Sequence, residues 1–304
     1  MVDLKGRHLK SLADFKREEL FEVLKKAKAL KMKQEIGEEH PLLHEKSLAM
    51  IFQKPSNRTR VSFEVGMTQL GGHALYLGPE DIQLGKREAV KDISRVLSCY
   101  VEGIMARVFS HQHIEELSKY SKVPVINGLS DKFHPCQALS DFLTIHEKKN
   151  TFDLKLCYVG DGNNVCHSLM FAASKLKTQM SIACPKGYEP DEDVVEIAQR
   201  HGLQLEIERD PKKAVLNADV IYTDVWVSMG QEEEKKKRLK AFKRYQVNMK
   251  LLKEAKKDVI FMHCLPAHRG EEVTEEVIES PYSVVFDQAE NRLHAQKGLL
   301  VSIL

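Results

Sequence analysis

Cationic and hydrogen-bonding side chains cluster just after the first strongly apolar run of the sequence, where SLAMIF is followed by KPSNRTR (54–60). A helical pattern begins here, and the first N–H groups of a helix favour an anion. Ser56, Asn57 and Thr59 add neutral donors, and Arg58 adds a guanidinium fork suited to phosphate or carboxylate oxygens. The stretch predicts an anion site, although an ordinary capped helix with exposed arginines would also have this sequence.

A second polar group lies in INGLSDKFHPCQALSDF, where an apolar run again meets a helical pattern. Pro135 suits the first position of a helix, so we expect His134 at the cap and Gln137 within the first turn. A histidine and an amide at a helix start can donate hydrogen bonds to a polarised carbonyl group. The alternative is that His134 only caps the helix.

A glycine turn in LCYVGDGNNVCHSLMF carries part of a dinucleotide-binding fingerprint. The third glycine of G-x-G-x-x-G would fall at Val165, and the next strand ends in ACPKG without an acid to hold a ribose. What remains is a tight turn that presents Asn163 and Asn164 at a helix start. Their amides can bind a carboxylate or an amine, or they can simply cap the helix.

Two further strand ends carry an acid and a thiol, in YTDVWVSMG and FMHCLPAHRGEEV. Asp224 and Cys264 at neighbouring strand ends would form a cradle for a cationic amine. A nucleophilic Cys–His pair is the competing interpretation of His263 and Cys264. Adjacent residues on a strand point to opposite faces, so His263 is badly placed to activate Cys264.

Short apolar runs alternate with helical patterns along the whole chain, and these elements must position the junction residues. The runs that predict strands are SLAMIF, HALYLG, GIMARVF, VPVING, LKLCYVG, QMSIAC, LQLEIE, DVIYTDVW, VIFMHCL and SVVF. This alternation is typical of the α/β class, with mainly parallel sheets flanked by helices and ligands beyond the carboxyl ends of the strands.

The chain divides near a polar stretch at 147–153. We predict one domain over 1–148 and a second over 149–287, joined by interdomain helices. A closing helix over about 288–304 is expected to pack back on the first domain. The charged run 231–246 is expected to be a solvated helix or a mobile loop.

Composition argues against several classes of protein. The 46 basic and 44 acidic residues among 304 leave a formal charge of +2, which indicates neither a nucleic-acid nor a membrane partner. No apolar stretch approaches the roughly 18 residues of a membrane span, and the start lacks the apolar core of a signal peptide. Six scattered cysteines without a C-x-x-C pair suit a reducing cytosol, and all but Cys264 are expected to be small core residues.

Taken together and in this order, four motifs resemble the aspartate/ornithine carbamoyltransferase family. SNRTR is similar to the family's S-x-R-T-R carbamoyl-phosphate signature, and HPCQAL contains its H-P-x-Q motif. DVWVSMG and HCLP resemble the motifs of the ornithine branch. The resemblance implies transfer of the carbamoyl group of carbamoyl phosphate to the side-chain amine of L-ornithine. The products would be L-citrulline and phosphate, in arginine metabolism.

The resemblance also implies a role for each matched position. Carbamoyl phosphate would be bound by Ser56, Asn57, Arg58, Thr59, Gln83, Arg107, His134, Pro135, Cys136, Gln137, Cys264, Leu265 and Arg292. Ornithine would be bound by Asn164, Asp224, Ser228 and Met229. The residues expected to act in catalysis are Arg107, His134, Asp224 and Cys264. Family members are trimers or assemblies of trimers, so a cytoplasmic homotrimer or multiple of trimers is expected, with no metal or organic cofactor.

Three alternatives remain at this point. A sister enzyme would act on aspartate, putrescine or an acylated ornithine. An aspartate site would need cations near Asp224, and a putrescine site would leave Asn164 and Ser228 without a carboxylate to bind. An NAD-dependent dehydrogenase fits the α/β pattern but lacks the glycine fingerprint. A regulatory protein that binds carbamoyl phosphate without turnover would give no reason for Asp224 or Cys264.

Overall fold

The computed structural model describes residues 2–228 and 232–304. They form two compact units, each of which has its own parallel sheet. Unit 1 is the chain up to Leu143 together with Glu290–Leu304, and unit 2 is Thr144–Ala289. The predicted α/β class with two helix-flanked parallel sheets is confirmed.

Unit 1 contains a four-stranded sheet, made of β1 (Ser47–Phe52), β2 (His73–Leu77), β3 (Gly103–Arg107) and β4 (Val125–Leu129), in the order β2-β1-β3-β4. Every residue of β1 after Ser47 is buried, as expected for a central parallel strand covered on both faces. The helices that begin in this unit are α1 (Arg17–Glu35), α2 (Asn57–Gln69), α3 (Pro79–Ile82), α4 (Val90–Leu97), α5 (His111–Tyr120) and α6 (Pro135–Lys149).

Unit 2 contains a five-stranded parallel sheet in the order β7-β6-β5-β8-β9. Its strands are β5 (Lys155–Val159), β6 (Gln179–Ala183), β7 (Leu205–Glu208), β8 (Val220–Thr223) and β9 (Ile260–His263). Its helices are α7 (Asn164–Leu176), α8 (Glu192–Arg200), α9 (Pro211–Ala214), α10 (Lys235–Phe242), α11 (Met249–Leu252) and α12 (Glu275–Ile278). A final helix, α13 (Val285–Ile303), begins in unit 2 and ends in unit 1.

Nine of the ten predicted strands are confirmed, and the tenth is wrong. In SVVF, Ser283 makes only an isolated bridge to Phe261, and Val285 already begins α13. Val284 and Val285 are buried because they form the inward side of a helix start, and a short apolar run does not distinguish that from a strand.

Two further predictions need correction. The charged run 231–246 contains α10, but Arg238 and Phe242 are buried, so the described part of this run is not simply solvated. All six cysteines are free, and Cys99 is exposed rather than a core residue. The other four thiols predicted to be core residues are buried, at positions 136, 157, 166 and 184. Within the described ranges, no helix combines the length and apolar composition that crossing a bilayer requires.

Candidate functional site

In unit 1, the register of the sheet brings the predicted anion-binding residues to one edge. Phe52, the last residue of β1, aligns with Arg107 at the end of β3, and Arg107 aligns with Leu129 at the end of β4. The segment 54–60 follows Phe52, and HPCQ follows the end of β4. Because parallel strands end at the same edge, all these residues leave the sheet on one side.

Thr59 and Arg292 are joined directly in this group. Ser56 caps α2, where its Oγ accepts a hydrogen bond from the Thr59 N–H and lies 3.2 Å from Thr59 Oγ1. Arg292, buried on α13, donates from Nη2 to Thr59 Oγ1 at 3.3 Å. It also donates from Nη1 to Gln137 Oε1 at 2.5 Å. Three elements distant in sequence therefore meet at one guanidinium group.

Asp141 extends this series of hydrogen bonds and was not predicted from the sequence. Its Oδ1 accepts a hydrogen bond of 2.8 Å from Gln137 Nε2, and both side chains are buried. The Gln137 amide thus presents its oxygen to Arg292 and its nitrogen to Asp141, and each partner favours the same orientation of the amide. The signal was present in the sequence, since Asp141 lies four residues after Gln137 on one face of α6.

His134 lies in a strongly positive environment. The ring is buried, and burial lowers its pKa well below 6.5. The guanidinium groups of Arg292, Arg107 and Arg58 lower that pKa further. The imidazole is therefore neutral near pH 7, with one N–H donor, and the positive potential of the three arginines favours an anion.

The remaining residues predicted to bind the anion are more scattered. Asn57 is exposed at the first position of α2, and Pro135 opens α6 as expected. The Cys136 thiol points to the core, because Sγ donates to the Asn127 carbonyl at 3.4 Å, and burial raises its pKa to about 12. Gln83 is exposed with φ of 42°, and its side chain joins none of the described hydrogen bonds of the Arg292 group.

In unit 2, three strand ends coincide in the same way. Val159 of β5 aligns with Thr223 of β8, and Thr223 aligns with His263 of β9. Asp224 and Cys264 are therefore the first residues after two paired strand ends. The predicted meeting of this acid and this thiol is confirmed, because Cys264 Sγ donates to Asp224 Oδ1 at 3.0 Å.

Asn163 holds the other oxygen of Asp224. Its Nδ2 donates to Asp224 Oδ2 at 2.7 Å, and its Oδ1 accepts from the N–H groups of Val165 and Cys166 at the start of α7. Tyr158 also donates its hydroxyl to Asn163 Oδ1, at 3.2 Å. The sequence predicts Asn163 at this helix start, but its contact with Asp224 is seen only in the structure.

His263 and Cys264 do not form a nucleophilic pair. His263 Nδ1 accepts the Leu265 N–H at 2.9 Å, so Nε2 carries the proton and donates to Glu272 Oε1 at 3.1 Å. Asp224, His263 and Cys264 bring potential metal-ligand atoms within 4.8 Å of one another. Because both ring nitrogens of His263 are engaged, we assign no metal role to this group.

The other predicted acceptor-binding residues lie on the same segments. Asn164 is half-buried at the first position of α7, directly after Asn163. Ser228 is half-buried four residues after Asp224, and Leu265 has φ of 57° directly after Cys264. Met229 lies outside the described residues.

Two family models match the two parts of the chain. The description "Aspartate/ornithine carbamoyltransferase, carbamoyl-P binding domain" fits residues 7–147, and "Aspartate/ornithine carbamoyltransferase, Asp/Orn binding domain" fits residues 152–303. The chain therefore belongs to the aspartate/ornithine carbamoyltransferase family.

Individual relatives are similar over their whole length. The chain is 59% identical over 309 aligned residues to the ornithine carbamoyltransferase of Pyrococcus horikoshii, covering 100% of this chain and 98% of that one. It is 58% identical over 299 residues to the ornithine carbamoyltransferase of Archaeoglobus fulgidus, covering 98% and 97%. The solved ornithine carbamoyltransferase of Pyrococcus furiosus matches with a TM-score of 0.97 and 59% identity, covering 100% and 98%.

Proposed function

We propose that this protein is an enzyme that carbamoylates L-ornithine on its side-chain amine with carbamoyl phosphate, forming L-citrulline and phosphate. The observation that carries the proposal is a contrast in charge between the two units. Unit 1 surrounds the neutral His134 with three guanidinium groups, whereas unit 2 presents the buried carboxylate of Asp224 at its strand ends. The relatives named ornithine carbamoyltransferase over the full chain support the same assignment.

Unit 1 is proposed to bind carbamoyl phosphate. The phosphate oxygens would be held by the start of α2 and by guanidinium groups, through Ser56, Asn57, Arg58, Thr59 and Arg107, with Gln83 from its own or a neighbouring subunit. The carbamoyl group would be bound by His134, Pro135, Cys136, Gln137 and Arg292, together with Cys264 and Leu265. A dianion with a good leaving group suits such a set of preorganised donors.

These donors are also proposed to activate the carbamoyl group for attack. Attack on the carbamoyl carbon places negative charge on its oxygen, and Thr59, Arg107 and His134 would stabilise that charge. Because the pKa of His134 is depressed, the ring donates a hydrogen bond without carrying charge at neutral pH. Phosphate then leaves toward Arg58 and Arg107.

Unit 2 is proposed to bind ornithine. Asp224 would bind the α-ammonium group, with Asn164, Ser228 and Met229 around the amino-acid end. The reacting amine must be neutral, and since an alkylammonium has a pKa of about 10.4, deprotonation near pH 7.4 costs roughly 4 kcal/mol. Cys264 would lie beside this amine. A carboxylate in contact with this amine would raise its pKa. Asp224, which accepts the Cys264 thiol at 3.0 Å, is therefore assigned to the α-ammonium group, with Cys264 between Asp224 and the reacting amine.

A steady-state assay with a panel of amines tests the function. The purified protein is given carbamoyl phosphate and either L-ornithine, putrescine, L-aspartate or an N-acylated ornithine, and the carbamoylated product and phosphate are measured. We expect turnover with ornithine alone. Putrescine is not favoured, because the similar full-length relatives are named for ornithine. Equal turnover of putrescine and ornithine would refute the assignment of Asn164 and Ser228 to the α-carboxylate end of the substrate.

The assembly, location and direction of the enzyme are part of the same proposal. A homotrimer or multiple of trimers is proposed from the family resemblance. Val61 and Val65, exposed one turn apart on α2, and Leu75, exposed on the edge strand β2, are apolar side chains that could contact another copy of the chain. Six free cysteines support a reducing, cytoplasmic location. The relative from Pyrococcus furiosus is named anabolic, which supports citrulline synthesis as the working direction.

A further inference from the structure

Arg238 is a buried cation outside the set of residues assigned above. It lies on α10, and only 9% of its side chain is exposed. Its Nη1 donates to Asp161 Oδ2 at 2.8 Å and to the Trp226 carbonyl oxygen at 3.2 Å. Its Nε donates to Glu234 at 3.1 Å, and its guanidinium carbon lies 5.0 Å from the centre of the Tyr188 ring.

These contacts connect the segments that follow three strands of unit 2. Asp161 belongs to the turn after β5, Tyr188 follows β6, and Trp226 follows β8. A second contact ties two of these segments together, because the Gly162 N–H donates to the Tyr188 carbonyl at 2.9 Å. One guanidinium group thus fixes the spacing of the loops at the carboxyl edge of the sheet.

The position of Arg238 matters because its partners Asp161 and Trp226 lie close in sequence to residues of the proposed ornithine site. Asp161 lies two residues before Asn163, the side chain that holds Asp224. Trp226 lies two residues after Asp224 and two before Ser228. Each partner of Arg238 is therefore only two residues from a side chain of the proposed ornithine site, which is called the acceptor site below.

The energetics favour a specific role over simple stabilisation. Burying an ion pair costs desolvation energy, so a well-packed apolar pair would serve stability equally well. Arginine supplies what an apolar residue lacks, because its planar fork donates to a carboxylate and a carbonyl at defined angles. Packing of Trp226 on Phe242 of α10, with ring centres 5.9 Å apart, holds the same segment from its other side.

We propose that Arg238 is a positioning residue for the acceptor site, which sets the placement of the segment 224–228 against the turn 160–163. This inference rests on the proposed function, since it assigns Arg238 to ornithine affinity and not to binding of carbamoyl phosphate. Arg238 would touch neither substrate. Its effect passes through the Trp226 carbonyl on one side and through Asp161 on the other.

The test compares Arg238→Met, Arg238→Lys and Asp161→Asn with Lys256→Met as a matched control. Lys256 pairs with Asp219 at 2.8 Å, just before β8 begins, so the control removes an ion pair at the opposite end of the same strand. Steady-state kinetics give separate KM values for ornithine and carbamoyl phosphate. Emission from Trp226, the only tryptophan in the chain, reports on the segment without depending on activity.

For Arg238→Met we expect the KM for ornithine to rise at least about tenfold, because small misplacements of binding groups have large effects. The KM for carbamoyl phosphate should stay within about twofold, on the same reasoning that only the acceptor segment moves. Trp226 emission should shift to longer wavelength. Arg238→Lys should recover only part of the loss, since one ammonium lacks the fork that reaches both partners. Asp161→Asn should change ornithine KM in the same direction, and it also tests the role if Arg238→Met does not fold.

The control should behave as wild type in all three measurements. If Arg238→Met keeps the wild-type KM for ornithine and the wild-type Trp226 emission, the inference is overturned. An equal rise of both KM values would also overturn it. If the wild-type protein forms no citrulline, the proposed function fails instead. The emission comparison then still decides whether Arg238 positions the segment.

Discussion

Lys297 provides a quantitative test of the packing of unit 1. Its side chain on α13 is fully buried, and its ammonium donates to Gln34 Oε1 of α1 at 3.0 Å and to Gln69 Oε1 of α2 at 2.8 Å. These acceptors are neutral amides. Burial therefore lowers the pKa of Lys297 from 10.5 to about 8.

The size and sign of the effect follow from this shift. A fall in pKa from 10.5 to about 8 corresponds to roughly 3 kcal/mol, at about 1.4 kcal/mol per pKa unit. The unfolded chain holds the Lys297 proton more tightly than the folded chain does. The contribution of this group to the free energy of unfolding thus rises as pH increases from about 8 to about 10.5, and below about pH 8 the full penalty applies.

The substitution Lys297→Met keeps the length of the side chain and removes the charge. At pH 7 the relief of the buried charge is opposed by two amide oxygens left without a donor, each worth about 1–3 kcal/mol. The lost hydrogen bonds do not depend on pH, so they do not affect how the difference in unfolding free energy changes with pH. Between pH 8 and 10.5, we expect wild type to gain roughly 3 kcal/mol relative to Lys297→Met.

Guanidinium chloride unfolding followed by far-UV circular dichroism at several pH values measures this difference. Lys33→Met is the matched control, because Lys33 lies on α1 with 41% of its side chain exposed. The wild-type and Lys33→Met profiles should run parallel between pH 8 and 10.5. If Lys297→Met also runs parallel to wild type, the ammonium is not penalised by burial, and the reasoning is wrong.

The remaining predictions concern the two proposed substrate sites. Arg107→Ala should raise the KM for carbamoyl phosphate, and Asp224→Ala the KM for ornithine, each by at least about tenfold for a lost charge-assisted contact. Steady-state kinetics that show both variants impaired for the same substrate would contradict the division between the units. Asn163→Asp keeps an oxygen to cap α7 but sets a second carboxyl group against Asp224, and the two groups must repel or share a proton. Ornithine KM should therefore rise about tenfold to a hundredfold while circular dichroism stays unchanged. Burial raises the pKa of Asp161 to about 6. Its ion pair with Arg238 on α10 therefore weakens as pH falls through about 6. Trp226 emission should change with that midpoint in wild type but not in Asp161→Asn.

The sequence predicted the strand ends well, for a physical reason. Parallel strands with apolar runs all end at one edge of their sheet, so residues that follow those runs must converge. Asp224 and Cys264 follow two such runs, so their meeting is predicted from the sequence, and the 3.0 Å contact between them confirms it. In the other sheet, Arg107 was expected only from the family resemblance, and the register aligns it with Phe52, the strand end that precedes the segment 54–60.

What the sequence did not predict depends on contacts between residues distant in sequence, or on the choice between two periodicities. Arg238 lies in a run of charges that is typical of a solvated helix, and only its contact with Asp161, 77 residues away, reveals a buried role. SVVF is too short for its periodicity to separate a strand from the buried start of a helix.

In each unit a neutral amide side chain contacts a charged side chain, which is a cation in unit 1 and an anion in unit 2. In unit 1, Asp141 accepts from the nitrogen of the Gln137 amide, so the amide oxygen is turned toward the cation Arg292. In unit 2, backbone N–H groups at the start of α7 donate to the oxygen of the Asn163 amide, so its nitrogen is turned toward the anion Asp224. An amide is suited to this task because it has a donor at one end and an acceptor at the other, and fixing one end decides what the other presents. The charged side chain at each proposed substrate site is therefore oriented by a neutral side chain whose own orientation is set by the fold.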